Sequence, residues 1–258
     1  MIGEPGDALR HPLCDQPGVR LVCFADRPVA DPGPWEVREP VHVSRTPRRT
    51  ARWHKAHVHV LFPDAEAVVW ADASMQLRVP AARLAADGLA GHNVLAAFKH
   101  PDRDCVYAEH RACLRLRKDD PGVMQRQVDH YKYAGYPPRN GLAETGCVVR
   151  VPAACAAFGA EWWAAIDRFS HRDQLSFDFA AWRLKLEYGK LAGSARRSPY
   201  FAFHPHRKSG RSTSSMNEPS TADHPRPRVA LALRSDRLDG ASQHGLRQEA
   251  GESLLNLN

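Results

Sequence analysis

The sequence predicts an α/β domain built on a mostly parallel sheet flanked by helices, followed by a disordered C-terminal tail. Three observations carry that prediction. Short apolar runs alternate with segments of helical periodicity, the pattern of strands joined by crossover helices. Polar residues, Asp26 and Asp72, stand directly after two of those runs. The large apolar side chains stop near residue 203, and residues 204–258 hold no Phe, Trp, Tyr or Cys while Ser, Pro, Arg and His accumulate. The division is therefore a domain over 1–203 and a tail over 204–258, which lacks the apolar surface to offset its ordering entropy. Within that tail, residues 229–233 amount to at most a transient strand or turn of helix.

Residues 19–25 (Val-Arg-Leu-Val-Cys-Phe-Ala) read as a buried strand ending in Asp26-Arg27-Pro28, and residues 35–43 as a weaker one. Residues 48–61 place Trp53, His57, Val60 and Leu61 on one helical face, and Pro63-Asp64 stops that helix. Residues 65–71 form the next buried strand, which delivers Asp72-Ala73-Ser74 at its carboxyl end. Pro80 opens a helix to about residue 86, and residues 92–98 return as a strand. Strand, helix, strand, helix, strand in that order predicts parallel pairing through crossovers. Helices over 104–117 and 123–134 are broken by Asp119-Asp120-Pro121-Gly122. A strand over 147–151 and helices over 152–169 and 173–186 follow, the last opening with an acidic residue suited to the helix dipole.

With 258 residues, 43% hydrophobic and 25% charged, the chain can build a core of its own. These values exclude collagen-like, wholly disordered and disulfide-scaffold classes. No apolar run approaches the roughly 20 residues that span a bilayer, so no transmembrane segment is expected. Residues 1–20 carry Asp, Glu and Pro where a signal peptide needs an apolar stretch, so the expected compartment is the cytoplasm. Six cysteines form no Cys-x-x-Cys pair and read as buried free thiols. The net charge of +7 admits a nucleic-acid partner, an anionic substrate or a plain basic surface. No recognised helix, finger or RNA-binding aromatic motif appears, so no nucleic acid is expected.

In an open parallel sheet, ligands sit beyond the carboxyl ends of the strands, which gives Asp26 and Asp72 weight. After Val68-Val69-Trp70-Ala71 the Asp72 carboxylate is dehydrated unless it meets a cation or donors. Such a carboxylate suits a hard cation bridging phosphates, and the alternative is a cap for the loop before Pro80.

Four blocks carry a family resemblance: residues 55–64, residues 70–75 (Trp-Ala-Asp-Ala-Ser-Met), residues 98–107 (Phe-Lys-His-Pro-Asp-Arg-Asp-Cys-Val-Tyr) and residues 170–177 (Ser-His-Arg-Asp-Gln-Leu-Ser-Phe). In this order they resemble the glycosyltransferase-like domain family that includes plant turgor-regulation and mucilage-related proteins and bacterial relatives, from about residue 2 to residue 203. The resemblance implies a GT-A-like fold and transfer of a sugar from a nucleotide-sugar donor to a hydroxyl acceptor. Asp72-Ala73-Ser74 occupies the place of the Asp-x-Asp motif of metal-dependent GT-A enzymes, which implies Mn2+ or Mg2+ held by Asp72. Only the first carboxylate is present, so either another ligand comes from elsewhere or basic residues neutralise the diphosphate. Relatives begin with a full strand leading into a Gly-x-Tyr-Asp turn. Here residues 2–9 keep only the turn, so either a central strand is missing, which would expose sheet edges and weaken the nucleotide pocket, or the start is misassigned.

The resemblance also places Arg52, Lys55 and Lys99 around the donor; Asp26 and His100, each just beyond a strand, and Ser74 and Gln174, within the matched Asp-Ala-Ser and Asp-Gln segments, are further donor-binding candidates. Lys or Arg there stabilises the charge that develops on a diphosphate leaving group. For Lys55 the alternative is an exposed helix charge, and for His100 a cap on the helix starting near Asp102. Glu144, in the Gly-bounded segment 141–146, is a candidate to bind the acceptor or accept its proton, or else a solvated loop carboxylate. Asp173 matches the Asp-Gln motif near donor sugar and acceptor, as general base in an inverting enzyme or as a positioning group in a retaining one. His204 is the candidate for a C-terminal histidine metal ligand, or a solvated side chain at the head of the tail. The competing reading is a catalytically silent sugar-nucleotide or glycan-binding module.

Overall fold

The structure, a computed structural model, describes residue 2, residues 9–205 and the backbone of residues 228–233. The first apolar run forms β1 (Val19–Phe24), and the weaker one shrinks to β2 (Glu36–Arg38). Thr46 and Pro47 start α1 (Pro47–Ala56): Thr46 Oγ1 accepts from the Arg49 amide at 3.3 Å, and Pro stands where an amide would have no helical partner. The backbone leaves helical geometry at His57, so the single helix expected over 48–61 is two, α1 and the short α2 (Val58–Leu61). β3 (Ala67–Asp72) is buried throughout, and β4 (Met75–Leu77) follows it directly.

Next come α3 (Ala81–Gly88), β5 (Leu95–Lys99), α4 (Val106–Arg115) and α5 (Pro121–Tyr133). Asp120 caps α5 by accepting from the Val123 amide at 2.7 Å. The chain continues through β6 (Ala143–Arg150), α6 (Ala156–Arg168), α7 (Gln174–Arg183), β7 (Gly189–Leu191), β8 (Phe201–Phe203) and β9 (Arg228–Leu233).

The described strands form a seven-stranded sheet, β2-β1-β9-β3-β6-β5-β7, and a small antiparallel pair, β4-β8. In the large sheet β1, β2, β3, β5 and β7 share one direction, whereas β6 and β9 run against them. Only β1–β2 and β5–β7 pair in parallel, so the expected mostly parallel sheet is mixed in its pairing. The reason lies in the α4–α5 excursion. It leaves from the end of β5 and returns beside it, Lys99 facing Ala143, and a strand entered from the same edge must run back antiparallel.

The second departure concerns the tail. Arg228–Leu233 pairs with β1 on one side and β3 on the other, with Val22 and Val68 facing Ala230 and Ala232. The sequence reading allowed this stretch no more than a transient strand. A six-residue segment gains its stability here from two flanking partners, which composition does not reveal. It thereby occupies the position between β1 and β3 in the large sheet. Residues 3–8, in the N-terminal turn, and residues 206–227 and 234–258 of the expected tail lie outside the described residues.

Strand periodicity builds the two faces of the sheet. Val68 and Trp70 pack with Ala51, Val58 and Phe62 of the α1–α2 layer, while Ala67, Val69 and Ala71 pack with Leu84 and Ala85 of α3. Phe158, Trp162 and Ile166 of α6 and Phe177 and Ala180 of α7 complete the α1 side. All six cysteines are free and all but Cys14 are buried, as the absence of paired spacing implied.

Candidate active site

Asp72 ends β3 at the next position on the face of Val68 and Trp70, so its side chain enters the layer occupied by α1. There it meets Lys55. This side chain has no solvent exposure, and its Nζ lies 3.9 Å from Asp72 Oδ1 and 2.6 Å from Asp173 Oδ2. Lys55 also donates to the Thr145 carbonyl, and its ammonium lies 5.6 Å from the Trp162 ring centre. The alternative of an exposed helix charge is thereby overturned.

Two devices aim Lys55. The fully buried Arg150 guanidinium of β6 donates to the Lys55 and Ala56 carbonyls, satisfying the C-terminal carbonyls of α1. Gly159 lets α6 approach so closely that a Cβ there would lie 2.4 Å from the Ala56 carbonyl oxygen.

Asp173 precedes the first turn of α7, buried to 3% exposure. Its Oδ2 accepts from Lys55 and from Thr145 Oγ1 at 3.2 Å, and its Oδ1 pairs with Arg52 Nε at 3.1 Å. Burial works against its charge, but the Arg52 and Lys55 cations beside it hold the carboxyl well below the usual carboxylate range. Burial likewise pulls Lys55 below its ordinary value, opposed by Asp173 and Asp72. Asp119 secures the approach to this residue: its Oδ2 accepts from Ser170 Oγ (2.7 Å), the His171 amide (3.0 Å) and His171 Nδ1 (2.7 Å).

The third wall is a bulge in β6. Between the pairs Ala97–Val148 and Phe98–Glu144, β5 advances one residue while β6 advances four. The extra residues turn Thr145 and Gly146 toward Asp173 and Met75. Glu144, beside the bulge, accepts from the Ala195 amide at 2.7 Å, and burial raises its carboxyl above the ordinary glutamate value.

These groups line a cleft of about 250 Å3 at the carboxyl edge of the sheet. Arg52, Asp72, Ser74, Glu144, Asp173 and Gln174 from the sequence reading come together there, with Lys55 directly beneath. The amide nitrogen of Gln174 is buried and has no hydrogen-bond partner among the described residues, so it is a donor available to a ligand oxygen.

Other expected residues lie outside that lining. Asp26 is exposed beyond β1 and pairs with Arg27 at 3.1 Å. Lys99 is exposed at the end of β5. His100 is buried, and its Nδ1 accepts from the Asp102 and Arg103 amides, both at 3.1 Å; these bonds close the loop ahead of α4, which starts only at Val106, so the expected cap on a helix starting near Asp102 is not formed. His204 turns its ring to Gln76 Oε1 at 2.8 Å. Sequence reasoning passed over Arg172, Arg196, Thr145, Arg150 and Asp119. Arg172 stood inside a quoted motif and Thr145 inside the Gly-bounded segment, whereas Arg150 and Asp119 gave no local signal because their partners are distant in sequence.

The expected divalent cation finds a poor donor set. Such an ion takes six or more oxygens at about 2.0–2.6 Å. The space between Asp72 and Asp173 already holds the Lys55 ammonium, and among the described residues no group of three or more His, Cys, Asp or Glu is placed to hold a metal.

The fold and cleft define an α/β domain with a charged cleft at a sheet edge. The chain belongs to the TOD1/MUCI70 glycosyltransferase-like domain family, whose model matches residues 35–194. That span contains the cleft residues from Arg52 to Gln174 and excludes Ala195, Arg196, Phe203 and Pro205 of the cleft as well as Asp26 and His204. Over 141 residues the chain is 30% identical to the Arabidopsis thaliana protein named Probable hexosyltransferase MUCI70, a match covering 50% of this chain and 24% of that relative. The chain thus spans about a quarter of the relative's length. No solved structure matches it. No helix among the described residues is long and apolar enough to cross a membrane.

Proposed function

We propose that this domain is a GT-A-like glycosyltransferase that moves a hexosyl group from a nucleotide-diphosphate donor to a hydroxyl acceptor. The observation that carries the reading is the convergence of Asp72, Asp173 and Glu144 with Arg52, Arg172 and Arg196 on one cleft at the carboxyl edge of the strands. A diphosphate leaving group develops negative charge, and guanidinium groups fixed at its position stabilise that charge. An acceptor hydroxyl needs a proton acceptor, and Glu144 suits this role better than Asp173. Two cations hold the Asp173 carboxylate, which lowers its basicity, while Glu144 has the raised value and no cation within salt-bridge distance among the described residues. Asp173 on this reading positions the sugar, and the unpartnered Gln174 amide donates to it.

The test is turnover of UDP- and GDP-hexoses by the purified protein, followed as nucleotide released. Wild type should release nucleotide. Glu144→Gln should lower kcat by about a hundredfold or more with little change in nucleotide affinity. A wild-type protein that binds nucleotide but never turns it over would favour the binding module instead.

A further inference from the structure

Resting on the sugar-nucleotide reading, we infer that this site takes its donor diphosphate without a divalent cation: the Lys55 ammonium holds the position between Asp72 and Asp173, and Arg172 and Arg196 receive the phosphates. Geometry supplies the first support. A metal bridging Asp72 and Asp173 would have to displace a group 2.6 Å from one carboxylate and 3.9 Å from the other. That group is the fully buried end of a side chain whose backbone is tied down by Arg150 and whose amine is also held by the Thr145 carbonyl. Moving it would mean repacking the layer in which it is buried against Trp162 and the Thr145 carbonyl.

Charge supplies the second. Among the described residues the cleft and its floor carry four cations (Arg52, Lys55, Arg172 and Arg196) against three carboxylates (Asp72, Glu144 and Asp173). A surplus positive charge repels a further dication and attracts a diphosphate. The two roles are also separated in space. Arg52 and Lys55 pair with Asp173, and the buried Arg172 also acts on that carboxylate from the cleft wall, whereas Arg196 is exposed at the mouth, its guanidinium 5.4 Å from the Phe203 ring centre. Guanidinium groups so placed supply the bidentate phosphate contacts that a metal would otherwise make.

Calorimetric titration of the purified chain with UDP and with GDP, in excess EDTA and in excess MnCl2, tests the inference. The expected result is binding in EDTA with an affinity within about twofold of that in manganese, and a loss of at least about tenfold in the Arg172→Gln, Arg196→Gln double variant under both conditions. Binding that appears only with manganese, or tightens tenfold or more with it, overturns the inference and leaves the glycosyltransferase reading standing. Binding of neither nucleotide under either condition overturns both. Manganese electron paramagnetic resonance gives a second measure: wild type should leave the free-ion signal unchanged, while Lys55→Ala, which vacates the space between the two carboxylates, should quench it. Quenching by wild type overturns the inference whether or not the variant folds.

Discussion

At Asp173, one carboxylate answers two buried cations. Replacing it with Ala takes the nearest carboxylate from both Arg52 and Lys55 and leaves Asp72, 3.9 Å from Lys55, to face that ammonium, and breaking a comparable buried pair costs about 3–5 kcal/mol. Asp173→Ala should therefore lower Tm by about 10 °C in a thermal melt, a loss that an exposed ion pair would not produce. Glu144 differs because its raised carboxyl is a chemical asset with one hydrogen bond to lose. As the proton acceptor it must be ionised, so kcat should fall as pH drops through a midpoint above the usual glutamate value of about 4.3. That acid limb should vanish from the residual activity of Glu144→Gln, and its survival there would assign it to another group. Asp119 sets a third pH effect. Burial opposes its charge, but hydrogen bonds from His171 and Ser170 hold its folded value below the ordinary one. Its contribution to stability is complete above the unfolded value of about 4 and is lost as pH falls through the folded value. The urea midpoint of Asp119→Asn should accordingly change less between pH 7 and pH 3 than that of wild type.

Helix α1 acts as a rigid arm whose placement decides where Arg52 and Lys55 point. Thr46 and Pro47 start it, Arg150 closes its C-terminal end, and Gly159 sets its distance from α6. A Cβ at Gly159 would stand 2.4 Å from a backbone oxygen, which cannot swing aside as a side chain would. Gly159→Ala should destabilise the protein by about 1–3 kcal/mol and weaken nucleotide binding through displacement of α1, although residue 159 lines no part of the cleft. Gly159→Ala with wild-type affinity and Tm would show that the helices separate freely. The β6 bulge works in the same way on the opposite wall. It interrupts a regular antiparallel pair at the one place where the strand must present Thr145 to a carboxylate rather than to the core.

Across the whole molecule, the sheet depends on a strand from near the C-terminus. β9 pairs along β1 and β3, so its removal would leave two central strands with unsatisfied edges in the middle of the sheet. A chain truncated after Pro205 should be insoluble or melt well below the full chain in a thermal-shift assay. An unchanged Tm would mean that the large sheet holds without its third strand and would support the expected domain boundary near residue 203.

Much of the fold was legible in the chain itself because local chemistry carried it. Apolar runs bounded by Asp-Arg-Pro and Asp-Ala-Ser, Pro80 at a helix start, and the Asp119-Asp120-Pro121-Gly122 break between two helices are signals that neighbouring residues generate among themselves. Asp72 and Asp173 were likewise visible, one after a buried strand and the other opening a helix. Tertiary structure alone decided the direction of β6, the insertion of β9, the bulge at Thr145 and the burial of Lys55 between two carboxylates. Each depends on partners far apart in sequence, 118 residues between Lys55 and Asp173, and a side chain's environment at such separations is set by packing rather than by its neighbours in the chain.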